Sequence, residues 1–181
     1  MALEKAGIVT VEEHLVYENA WVSVYDDAVR FPGGSSGTYY YSRWKAPYGV
    51  AIVPVLGERV LLLRNYRYSE KAWSIEIPQG FGSENSTPEE DAARELLEET
   101  GLTATSLTPL MRLGVTYATH VFIARIDPSA SPNPSGAEAT ESIDDFLYMQ
   151  TRDISPDALA AIGVFDGGSV AALLAFAQTQ I

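Results

Sequence analysis

GFGSENSTPEEDAARELLEETGL, the stretch from Gly80 to Leu102, predicts a helix with both ends marked. Thr87 suits an N-cap, Pro88 suits the first helical position, and Glu90 stands three residues after Thr87, so the start reads as a capping box with proline at N1. Gly101 sits where a C′ glycine ends a helix. Ala92, Ala93, Leu96 and Leu97 are expected to form an apolar stripe that docks on a core, with Glu95, Glu98 and Glu99 largely off it. Side chains three and four residues apart are neighbours on a helix surface. Three carboxylates crowded there repel one another unless a cation lies between them, and a hard divalent ion takes oxygen ligands. Arg94, four residues before Glu98, is placed to pair with it. Glu-rich helices are also common as solvated faces that hold nothing, and the helix alone does not separate the two readings.

Composition narrows the alternatives. With 181 residues, 46% hydrophobic and 20% charged, the chain suits one globular domain with a real core, with room for a small appendage. No apolar run approaches the ~18 residues that span a bilayer. The start, MALEKAGIVTVEEHL, lacks a basic region followed by an apolar core, so no secretory leader is expected. There are no cysteines, which excludes disulfides, thiolate zinc sites and cysteine nucleophiles and is compatible with a cytoplasmic setting. A net charge of −12 argues against nucleic acid as a partner. A phosphorylated small molecule remains a fitting ligand if cations and a few arginines bring positive charge to the site.

The remaining segments suggest strands around this helix. His14–Tyr17, Trp21–Tyr25 and Thr38–Trp44 are rich in β-branched and aromatic residues, separated by turn signals at Asn19 and at Pro32–Gly37, and give a β-rich region over residues 1–46. In 47–181, Tyr48–Leu56 and Val60–Tyr68 flank Gly57-Glu58-Arg59 as a hairpin, and Trp73–Ile77 leads through Pro78-Gln79 into Gly80. Leu107–Tyr117, Thr119–Ile126 and Ser142–Met149 are further strands, with Asp127–Ala139 as a Pro/Ser-rich loop. Ser155-Pro156 starts a helix that Gly163 stops, and Ser169 starts another. Strands, helix, strands, helices suggest an α/β (α+β) sandwich with helices flanking a mixed sheet, preceded by a small antiparallel sheet.

The spacing of Gly80, Arg94-Glu95-Leu96, Glu98-Glu99 and Gly101-Leu102 resembles the signature of the Nudix hydrolases. That signature is a glycine, a glutamate six residues later, then R-E-U-x-E-E-x-G-U with U aliphatic. One position departs: Ser86 stands where the first glutamate is expected, with Glu84 nearby as a substitute. The segment VLLLRNYRYSEKAWSIEIPQGF and the C-terminal IGVFDGGSVAALLAFAQ are similar to the ADP-ribose pyrophosphatase branch. The resemblance implies a Nudix-type α/β/α sandwich and a β-rich N-terminal region that builds a homodimer. It also implies Mg²⁺ (with Mn²⁺ as the alternative), and hydrolysis of a nucleoside diphosphate linked to another moiety, ADP-ribose or a nucleotide sugar, with no membrane or nucleic-acid partner.

Carried onto this chain, the resemblance implies Glu95 and Glu99 as principal metal ligands, with Glu98 completing the cluster or positioning water, the backbone carbonyl of Gln79 as a further ligand, and Arg94 beside them. It implies that Gly80 lets the chain approach the metal, and that Arg67 and Glu76 contact substrate. Arg67 could equally be an ordinary surface arginine, and Glu76 could equally pair with a basic neighbour. Trp73 and Phe81 are candidates to stack on a base, although aromatics in such strands are more often core. The general base is expected on the loop after the helix, at Glu141 in preference to Glu138. The proline-glycine loop common to that branch is missing from RLGVTYATHVFIARI, which points either to a differently built pocket or to a substrate other than ADP-ribose. Competing readings are a ligand sensor that has lost catalysis, and a hydrolase of dinucleoside polyphosphates or nucleoside triphosphates. An isomerase of isopentenyl-diphosphate type is disfavoured because it relies on a cysteine.

Overall fold

A computed structural model describes residues 7–133 and 142–180. Glu138 and Glu141 lie outside the described residues, as does the second half of the Pro/Ser-rich stretch. The chain divides into two compact units, Met1–Ala46 and Pro47–Ile181.

The first unit holds strands β1 (Val9–Glu12), β2 (Leu15–Glu18), β3 (Val22–Arg30) and β4 (Ser36–Trp44). The central β3 pairs antiparallel with all three others, β1 and β2 sharing one edge end to end and β4 running along the other. β1 does not stand out in the sequence, and β3 extends five residues beyond the expected Tyr25. The extension takes in Asp26-Asp27, which reads as a break. Asp27 is nevertheless buried, because its carboxylate accepts from the His14 N–H and the Tyr41 hydroxyl, both at 3.0 Å.

The second unit is built on β5 (Gly49–Leu56), β6 (Arg59–Arg67), β7 (Ala72–Glu76), β8 (Gln79–Phe81), β9 (Ser106–Leu113), β10 (Thr119–Ile126) and β11 (Ile143–Gln150). They form one sheet in the order β11-β6-β5-β10-β9, with β7 paired to β6 and β8 to β5. Among the described residues, only β5 and β10 run parallel. All of β5 is buried, the sign of a strand covered on both faces. Its alternate residues serve different layers. Ala51, Val53 and Val55 pack in a cluster with Leu159, Ala172, Leu173 and Phe176 from helices α2 (Pro156–Ile162) and α3 (Gly167–Gln178). Val50, Ile52 and Leu56 pack with Ala92, Leu96 and Leu102 around helix α1 (Pro88–Thr100). The result is helix on sheet on helix. Among the described residues, no helix is long and apolar enough to cross a membrane.

One feature of this sheet positions the site. The expected β5–β6 hairpin pairs only beside its turn, at Val55–Val60 and Leu56–Arg59. Beyond that the two strands part. The rest of β6 takes β7 as partner, the start of β5 takes β8, and the Ile52 N–H donates to the Pro78 carbonyl at 2.9 Å. The chain from Glu76 to Phe81 is thereby held in the opening of a split sheet. No strand is expected from the sequence at Gln79-Gly80-Phe81, yet the gap in the sheet makes it one. α3 also differs from expectation. Its N-cap is Asp166, not Ser169, and the buried Ser169 hydroxyl lies 3.1 Å from the Ile77 N–H, which donates to it.

Candidate active site

Helix α1 has the predicted ends. Thr87 accepts from the Glu90 N–H, Glu90 accepts from the Thr87 N–H at 2.8 Å, and Gly101 closes the helix at φ 70°, a left-handed conformation suited to glycine. Its inner face differs from the expected stripe. Leu97 is 50% exposed and Ala93 also faces outward. The buried set is Asp91, Ala92, Glu95, Leu96, Glu99 and Thr100, so Glu95 (8% exposed) and Glu99 (2%) lie inside rather than off the packed face. Residues four apart stack on one side of a helix, and here that side alternates apolar with acidic groups.

The strand β8 explains how two carboxylates fit there. The Glu95 carboxylate lies so close to Gly80 that a methyl carbon at Gly80 would overlap its Cδ and both oxygens. The Gln79 N–H donates to Glu99 Oε2 at 3.0 Å. Arg94 gathers the next layer. It donates to Glu98 Oε2 at 2.7 Å and to the Phe81 carbonyl at 2.8 Å, and pairs with Glu95 Oε1 at 2.9 Å and Asp91 Oδ1 at 3.2 Å. Burial alone would weaken the charge of Arg94, but Glu95, Glu98 and Asp91 together raise its pKa.

Among the described residues, no three carboxylate or imidazole groups converge to hold a metal ion by side chains alone. Glu98 is turned to Arg94 instead of closing a cage with Glu95 and Glu99. The donors that remain are two buried carboxylates set against a strand with a glycine at the point of approach. That set fits a hard divalent cation that keeps several of its own waters, as Mg²⁺ does.

Sequence reasoning missed Asp91. Its buried carboxylate accepts from Ser86 Oγ at 2.7 Å, the Tyr48 hydroxyl at 2.8 Å, the Ser83 N–H at 3.0 Å and Arg94. Burial pushes its pKa up, but these hydrogen bonds outweigh burial and leave it lowered. The carboxylate that accepts from Ser86 Oγ is Asp91. An acid one turn before Glu95 on the same face, together with the missing glutamate at 86, was the available signal.

Arg67 and Glu76 meet. Arg67 Nε donates to Glu76 Oε1 at 2.9 Å, its Nη2 donates to Oε2, and the Gln79 side-chain amide also donates to Oε2. Glu76 is 1% exposed, whereas part of the Arg67 side chain reaches the surface. Trp73 stands on β7 with its ring edge-on to Tyr66 at 5.4 Å and the Arg64 guanidinium 4.4 Å above it. Phe81 is partly exposed and edge-on to Tyr117 at 6.4 Å. Burial pushes the Tyr117 phenol up to about 12. His120 packs edge-on against Tyr48 at 5.4 Å.

The helix of buried glutamates against a glycine strand is the part of the fold on which comparison with known proteins bears. The NUDIX domain family matches residues 45–163, and the chain belongs to that family. The nucleoside diphosphate sugar hydrolase N-terminal domain matches residues 8–42. The chain is 28% identical over 160 residues to an ADP-ribose pyrophosphatase of Bacillus subtilis (strain 168), covering 84% of this chain and 82% of that protein. It is 34% identical over 91 residues to a CMP-5'-(N-acetyl-N-hydroxy-3-aminopropyl)phosphonate hydrolase of Streptomyces rubellomurinus (strain ATCC 31215). That match spans 49% of this chain and 43% of the relative, less than half its length. A crystal structure of an ADP compounds hydrolase superposes with a TM-score of 0.72 at 19% identity, over 98% of this chain and 96% of that one, which establishes the shared fold.

Proposed function

We propose that the protein hydrolyses the pyrophosphate bond of a nucleoside diphosphate joined to a sugar or similar group, releasing a nucleoside monophosphate and a sugar phosphate. The observation that carries this reading is the pair of buried carboxylates, Glu95 and Glu99, braced against Gly80 and Gln79. Relatives named for ADP-ribose and a CMP-linked phosphonate, and the nucleoside diphosphate sugar hydrolase match at the N-terminus, support the substrate class.

Glu95 and Glu99, with the Gln79 carbonyl, would hold the cation. When bound, Mg²⁺ or Mn²⁺ neutralises pyrophosphate oxygens and lowers the pKa of water at the site. Arg94 keeps Glu98 oriented at the edge of the cluster, where it positions water. The Arg67–Glu76 pair frames the base or ribose, and Phe81 and Trp73 offer faces for stacking. Glu141, with Glu138 as the alternative, takes the proton of the attacking water. The exposed apolar side chains of the first unit, including Val9, Val11, Val16, Tyr40 and Trp44, support a homodimer formed through that unit. Light scattering tests it.

The reading is tested by incubating the protein with Mg²⁺ and a panel of ADP-ribose, nucleotide sugars, dinucleoside polyphosphates and nucleoside triphosphates, and following phosphorus products. Turnover confined to sugar-linked diphosphates is expected. Turnover confined to triphosphates or dinucleoside polyphosphates would move the substrate class, and binding without turnover would make the protein a sensor.

A further inference from the structure

Asp91 accepts hydrogen bonds from Tyr48, Ser83, Ser86 and Arg94 and has no role in the reading above. It is 2% exposed and sits on the inner face of α1, one turn before Glu95. Its two oxygens face different structures. Oδ2 accepts from the Ser83 N–H and Ser86 Oγ, both on the loop between β8 and α1, and from the Tyr48 hydroxyl just before β5. Oδ1 accepts from Arg94, whose other contacts are Glu95, Glu98 and the Phe81 carbonyl. One charge therefore ties the loop that leaves the glycine strand to the arginine that spaces the glutamates.

We propose that Asp91 is a positioning residue for the cation site: it anchors Arg94 and the Ser83–Ser86 loop so that Glu95 and Glu99 keep the geometry in which they hold a divalent ion. Removing the charge releases one of the contacts that fix the Arg94 guanidinium, which already pairs with Glu95 Oε1 at 2.9 Å, and lets it shift on the glutamate oxygens. The loop then loses the acceptor for its Ser83 N–H and Ser86 hydroxyl and no longer fixes β8 against the helix. Outer groups of this kind act through the ligands they orient, and their loss costs about 10–100-fold in metal affinity or activity. The short Ser86–Asp91 contact adds a corollary. Ser86 Oγ lies 2.7 Å from Asp91 Oδ2, so a carboxylate placed at position 86 is expected to supply negative charge next to the remaining donors of Asp91.

The inference rests on the proposed cation site, and the test separates the two. Mn²⁺ is titrated into the substrate-free protein by water-proton relaxation for wild type, D91A, D91N, S86E/D91A and S86Q/D91A, with thermal unfolding measured alongside. D91A and D91N are expected to weaken Mn²⁺ binding by about 10–100-fold. S86E/D91A should regain most of the loss and S86Q/D91A should not, since the glutamine restores bulk without charge. Should D91A fail to fold, D91N and S86E/D91N carry the comparison, because asparagine keeps the side-chain shape. Unchanged Mn²⁺ affinity in D91N with only a lower unfolding temperature would overturn the proposal and leave Asp91 a purely structural residue. Equal rescue by S86Q would overturn it too. Wild type that binds Mn²⁺ but turns over no substrate would instead count against the proposed reaction, with the Asp91 comparison still readable.

Discussion

The Glu95 carboxylate packs directly on the Cα of Gly80, in space that any side chain at position 80 would occupy. The glycine is required by the carboxylate and not by its backbone angles, since Gly80 is absent from the glycines with positive φ. Gly80→Ala should therefore fold but displace Glu95. Displacing a catalytic group by about 1 Å can cost about 10²-fold in rate, and overpacking costs about 1–3 kcal/mol of stability. Metal titration and denaturant unfolding of Gly80→Ala check both. Full activity at wild-type Mg²⁺ demand would show that Glu95 is not held for a ligand role.

The Arg67–Glu76 pair makes a second prediction. Arg67→Ala removes two donors from a buried carboxylate, which costs about 1–3 kcal/mol. Arg67→Lys should lose most of that stabilisation as well, because an ammonium cannot reproduce the fork. If the pair also frames the substrate, KM rises in both variants. A rise in KM without loss of stability would place Arg67 on the substrate and not on Glu76.

Asp91 gives a pH prediction. Its folded pKa is lowered, so its contribution to stability is present above the unfolded value of about 3.9 and is lost as pH falls through the lower folded value. Wild type should lose stability more steeply than Asp91→Asn below about pH 4. Thermal unfolding from pH 7 down to pH 2 tests this, and parallel curves would contradict it.

The assignment of the base separates two neighbours. Glu141→Gln should lower kcat by about 10²–10⁴-fold while leaving Mn²⁺ binding intact, and Glu138→Gln should leave both nearly unchanged. The reverse pattern would transfer the role to Glu138.

Helix α1 was legible because its signals are local: a cap, a proline, and a glycine at the end fix it without help from the rest of the chain. The strand β5 was legible as an unbroken apolar run, and its cover on both faces is what the structure adds. β8 was not, because Gln79-Gly80-Phe81 becomes a strand only when β5 and β6 separate and leave an edge to pair with. The burial of Glu95 and Glu99 was misread for the same reason, since Glu95 is admitted by a glycine fifteen residues before it and Glu99 by the Gln79 N–H on the same strand. Asp91 escaped notice because its importance lies in partners at positions 48, 83 and 86 that no periodicity links to it.

Phosphorus NMR of wild type and Glu99→Gln, each titrated with Mg²⁺ on the panel substrate that wild type hydrolyses fastest, reads out whether Glu99 holds the cation for hydrolysis. Glu99 both accepts the Gln79 N–H and supplies a buried carboxylate to the site. Wild type should release nucleoside monophosphate with a saturable dependence on Mg²⁺, and Glu99→Gln should release none while remaining folded. Turnover by Glu99→Gln at unchanged Mg²⁺ demand, or wild-type turnover that persists under chelation, would contradict the account.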